Sequence, residues 1–85
     1  MKFFFNLAGT IQSLDEEGME LIGIDQAREA AVRFVGEYIR DRPQVAWLGD
    51  ELRLEVTDEA GLLLFTLIMI GVDSPAVQHL TNRGV

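Results

Sequence analysis

The segment Leu62–Ile70 limits what this chain can fold into more than any other. It reads Leu-Leu-Leu-Phe-Thr-Leu-Ile-Met-Ile, so only Thr66 interrupts it and a strand built from it is apolar on both faces. Such a strand must be covered twice. Eighty-five residues offer little to cover it with. A chain of that mass buries about 63% of its unfolded surface on folding, a thin margin for one core. In a two-layer domain a helix covers one face. The other has to meet a second chain, the loop from Gln44 to Gly49, or the C-terminal tail.

The remaining segments supply that helix and the rest of a sheet. Lys2–Leu7 reads as a strand with Phe3, Phe5 and Leu7 on one face and Phe4 on the other. Ile11–Leu14 alternates apolar and polar and is expected to pair with it as a second strand. The acidic turn Asp15-Glu16-Glu17-Gly18 follows, where Gly18 supplies a positive φ. Met19–Ile22 is then a short strand. Asp25 stands where an N-cap acceptor belongs. Ala27, Ala30, Ala31, Phe34, Val35, Tyr38 and Ile39 form one apolar stripe at helical spacing. Pro43 ends the helix, and Gly36 within it suggests close packing there. Leu52–Thr57 alternates strictly, and Asp58–Gly61 is a hairpin loop with glycine in left-handed geometry. The expected fold is α+β: two layers, an antiparallel sheet of four or five strands with one helix on one face, in the order ββ(β)αββ. Residues 1–71 form the domain and 72–85 a loosely held tail.

Charge and composition exclude several functions. Seven basic residues against fourteen acidic ones give a net charge of −7. The arginines at 28, 33, 40 and 42 are interleaved with Glu29, Glu37 and Asp41, so no basic face is available for phosphates; neither nucleic acid nor an anionic membrane surface is an expected partner. Without cysteine there is no disulfide, thiolate nucleophile or zinc–thiolate site. The aromatic start is cut at Asn6 and closed by Gly9 and Thr10, too short for a secretory leader, and Leu62–Ile70 is about half a membrane span. A cytoplasmic protein is expected.

Chemistry-bearing motifs are lacking. The turns around Asp15, Glu16, Glu17 and Glu20 and around Asp58 and Glu59 hold carboxylates of the type hard cations take, but without EF-hand spacing. They read as solvated turns, with no metal. His79 near Asp73 and Ser74 lacks the context of a nucleophile motif. The glycines show no phosphate-loop spacing, so no cofactor is expected and no catalytic residue is assigned. A small ligand would be sought beneath the helix, between Phe34, Tyr38 and Trp47.

The feature that points to function is surplus apolar strand surface. Phe4, Phe65, Leu67 and Met69 are the candidate interface residues, and a homodimer joined through the C-terminal hairpin or the uncovered sheet face is the expected assembly. The reading is of a non-enzymatic interaction module. The alternative is a small acidic regulator that masks a basic protein partner, since the −7 charge would steer a cationic surface.

The aromatic strand Phe3-Phe4-Phe5, the turn Asp15-Glu16-Glu17-Gly18-Met19-Glu20-Leu21 and the hairpin Val56-Thr57-Asp58-Glu59-Ala60-Gly61 together resemble a family of short bacterial proteins. That family, common in alphaproteobacteria, is classed as a domain of unknown function, and the resemblance covers residues 2–68. It implies no activity and no site residues. The sheet-then-helix order is also similar to antitoxins of the HicB type, a likeness of fold alone.

Overall fold

The computed structural model describes residues 1–77 and 80. Strand β1 is Lys2–Gly9, β2 Met19–Glu20, helix α1 Ile24–Asp41, followed by a 3₁₀ helix at Pro43–Trp47, then β3 Leu52–Thr57 and β4 Leu63–Met69. The four strands form one antiparallel sheet in the order β2-β1-β3-β4, with α1 on one face. This is the α+β, ββαββ arrangement expected from the alternation and the helical stripe.

Alternation decides what is buried. Phe3, Phe5 and Leu7 of β1 and Leu52, Leu54 and Val56 of β3 lie on one face and meet Ala27, Ala31 and Val35 of α1. These helical residues stand four apart, a narrow stripe of small side chains that lets the helix axis approach the sheet. Val45 of the 3₁₀ helix closes the core at the C-terminal end of α1. Gly71 donates its N–H to the Ala46 carbonyl at 3.1 Å, which ties the exit of β4 to the same segment.

Four expectations change. Ile11–Leu14 is not a strand: it pairs with β1 only through the Leu7–Ser13 bridge, and Leu14 is 81% exposed although Ile11 packs against the core. The left-handed Gly9 ties the next residue back to β3, with the Thr10 N–H on the Glu51 carbonyl and the Thr10 hydroxyl on that of Asp50, so the chain leaves the sheet before it can pair at length. The helix begins at Ile24 with Gly23 as N-cap, not at Asp25. Gln26 turns its Oε1 back to accept the Ile22 N–H at 2.9 Å, one residue before the cap, while Asp25 sits in the first turn near Arg28. Gly36 faces open space rather than a close neighbour. Phe34 lies at the rim of the apolar stripe, more than a third exposed, because the sheet beneath narrows to the two residues of β2. The positive φ expected at Gly18 and Gly61 is present, at 74° and 84°.

Of the expected tail, residues 75–77 are helical, and Asp73 and Ser74 are exposed; His79 lies outside the described residues. No helix among the described residues is long and apolar enough to cross a membrane.

Candidate functional site

Among the described residues the outer edge of β4 is unpaired, and which groups it presents follows from the way the backbone of β1 faces. Leu7 exchanges both its N–H and its carbonyl with Ser13, at 2.9 and 3.0 Å, and the Phe5 N–H goes to the Asp15 carboxylate at 3.1 Å. The odd-numbered amides of β1 therefore point away from β3, and its even-numbered ones pair with it. Antiparallel alternation then turns Leu52, Leu54 and Val56 of β3 toward β4, where they oppose Met69, Leu67 and Phe65. What remains on the outer side of β4 is the backbone of Thr66 and Ile68. From Leu62 to Ile70 there is no charge and no proline, the devices that ordinarily protect an edge. Leu63, Ile68 and Ile70 are each about half exposed along it, at 52%, 53% and 51%.

Opposite-facing residues separate the four candidate interface positions. Phe65, Leu67 and Met69 share the helix-side face, each half-buried beside the core. Phe4 is on the other face, where its ring lies close to Gly18 and 5.9 Å beneath the Lys2 ammonium. The middle of that face is polar: Arg53 bridges Glu51 and Glu55 at 3.0 and 3.3 Å, and Asn6 donates to the Glu55 carbonyl. Among the described residues the apolar surface left on this side of the sheet is therefore along β4, and Ile68, which opposes Arg53 and shares the outer face with Phe4, belongs to it. The signal for it was the unbroken apolar run; the missing information was the register.

A second surface lies at the opposite end of the sheet. An open groove runs between α1 and the loop 13–19, in two joined hollows of about 540 and 360 Å³ that share Phe5, Met19 and Phe34. This is where Phe34 is found. It is not grouped with Tyr38 and Trp47: Tyr38 stacks under Arg42, and the Trp47 ring lies over Gly71. The expected pocket between the three is therefore corrected to a groove on the β2 side.

Comparison with known families gives a match to DUF6894, described as a domain of unknown function, over residues 2–70. The chain belongs to that family. Neither curated proteins nor solved structures provide a match. In this DUF6894 domain the matched region ends one residue after β4, so both surfaces lie within it.

The acidic turns of the DUF6894 domain have structural work that their sequence did not reveal. Asp15 Oδ1 accepts the N–H groups of Glu17 and Gly18, Oδ2 accepts that of Phe5, and the Asp15 N–H is donated to Asn6 Oδ1 at 2.9 Å. Asp58 likewise accepts from Ala60 and Leu62 and shapes the β3–β4 hairpin. Among the described residues, no three His, Cys, Asp or Glu side chains gather as a metal site.

Burial of the Asp15 carboxyl works against ionisation, but the N–H groups of Gly18, Phe5 and Glu17 and the charge of Lys2 outweigh it and hold its pKa below the ordinary aspartate value. A lowered folded-state pKa adds stability above the unfolded value of about 3.9, and that stability is lost as pH falls through the folded value. Asp15→Ala is expected to cost about 2 kcal/mol at neutral pH, because the partly buried Phe5 N–H loses a charged acceptor. Urea titrations at pH 7 and pH 3 check it: the gap between parent and variant should narrow at the lower pH.

Proposed function

We propose that the domain is a non-enzymatic interaction module that self-associates, two copies pairing their β4 edges antiparallel into one continuous sheet. The observation that carries this reading is the outward backbone of Thr66 and Ile68 on a seven-residue edge strand that has neither charge nor proline. Strand addition satisfies those groups with main-chain hydrogen bonds and removes the apolar flank of Ile68 and Ile70 from water. Phe65, Leu67 and Met69 support the edge from the helix side, and the hairpin set by Asp58 and Gly61 leads into it. The polar centre of the outer sheet face favours this edge over face-to-face packing. Within the family, we place the signature in Asp15–Leu21, since Asp15 and the left-handed Gly18 together close the far side of β1.

Sedimentation equilibrium tests the reading. The parent is expected to sediment at the mass of two chains. Ile68→Lys places a charge on an exposed edge position, and Thr66→Pro removes an N–H that β3 does not use. Both are expected to sediment as single folded chains with unchanged far-ultraviolet circular dichroism. A parent of single-chain mass, or variants that stay paired, overturns it.

A further inference from the structure

We propose that the groove between α1 and the 13–19 loop receives a cationic amphipathic helix from a partner protein. The inference rests on the opposite end of the sheet from β4 and does not depend on self-association.

The first support is a helix face that the domain's own sheet leaves free. Ala30 and Phe34, one turn apart, lie over the groove with Phe5 and Met19, and Phe34 and Met19 remain 38% and 48% exposed. This is apolar surface arranged along a trough, wide enough for a row of side chains, with both hollows in the size range of ligand sites. The open, elongated shape suits a helix laid along it, anchored at three- and four-residue spacing.

Backbone geometry selects a helix over an extended peptide. An incoming strand needs free amides on β1, and the Leu7 and Phe5 groups that face this way are already taken by Ser13 and Asp15. Only side chains are on offer, so the occupant must satisfy its own backbone, which a helix does.

Charge fixes the sign of the partner. Glu16 and Glu17 stand on the loop bank and Glu29 and Glu37 on the helix bank, and among the described residues Arg33 is the one cation lining the groove. A helix with an apolar stripe flanked by lysine or arginine matches both banks, and an acidic one is repelled. Asp15 takes little part, since its carboxylate is bound by backbone N–H groups.

The test uses a synthetic amphipathic leucine–lysine helix as probe and its leucine–glutamate counterpart as control, followed by amide chemical shifts of the full chain. The lysine peptide is expected to shift Met19, Ala30, Phe34 and the 13–19 loop and to weaken with added salt. Phe34→Ala removes an exposed side chain, so the fold persists, and is expected to weaken binding about tenfold. Glu29→Gln with Glu37→Gln should flatten the salt dependence. Ile68→Lys should bind the probe as the parent does, which separates this site from the β4 edge. No binding, shifts spread over the whole acidic surface, equal binding of the glutamate peptide, or an unaffected Phe34→Ala overturns the proposal.

Discussion

Replacing Phe3 with alanine is expected to cost about 3–5 kcal/mol, the range for removing a fully buried aromatic ring. Phe3 has no exposed surface, and it belongs to the core cluster that joins residues of β1, β3 and α1. An 85-residue domain has only about 4–13 kcal/mol of total stability, so this one change brings it near the point of unfolding. Phe4 provides an internal control. Its ring is half-buried on the other face under Lys2 and Gly18, and Phe4→Ala should cost about 1–2 kcal/mol, in proportion to the smaller apolar area it removes from water. Urea unfolding of the two variants reads the difference as a shift in midpoint at constant slope. Equal losses would mean that the Phe3-Phe4-Phe5 run does not alternate between core and outer face.

Gly9→Ala should be the next most damaging change, at about 3 kcal/mol. Two terms contribute. Gly9 has φ of 85°, where an L side chain costs about 1–2 kcal/mol. A Cβ there also collides with the Glu51 carbonyl oxygen, a backbone atom that cannot swing aside, and forcing it away adds about 1–3 kcal/mol. That carbonyl accepts from the Thr10 N–H and hydroxyl, so moving it loosens the end of the β1–β3 ladder as well. Gly61 isolates the first term. Its φ is 84°, but nothing lies within 4 Å of its would-be Cβ, so Gly61→Ala should cost the conformational term alone. Thermal unfolding of both variants measures the gap. Equal costs would remove the collision from the account.

The sequence was most legible where one periodicity ran unbroken. Leu52–Thr57 alternates without exception and forms β3 over those same residues; the alanine-rich stripe becomes the buried face of α1, and Pro43 stops the helix two residues after Asp41. It was least legible where the answer depended on a distant partner. Ile11–Leu14 has the alternation of a strand, but the turn at Gly9 and Thr10 is fastened to Glu51, forty-one residues on from Thr10, and carries the segment away. Phe4 belongs with Phe65, Leu67 and Met69 only if β1 and β4 share a phase. The register through β3 puts them on opposite faces, and the irregularity between Val56 and Thr57 shifts the phase again near the hairpin. Asp15 looked like one more solvated carboxylate because its partners, Asn6 and the Phe5 N–H, are set by the fold and not by local sequence.

The closing of the far side of β1 by Asp15 and Ser13 also bears on how large an assembly can become. A sheet with two open edges adds copies without limit, head to tail, as a fibre does. Here the far edge is finished by a side chain, a single bridge and a strand of two residues, so among the described residues the sheet has one usable edge. Joining two such sheets through that edge leaves the finished edges outermost, and growth stops at two. Asp15, the Ser13 bridge and the short β2 together would thereby limit the valence of any pairing through the sheet.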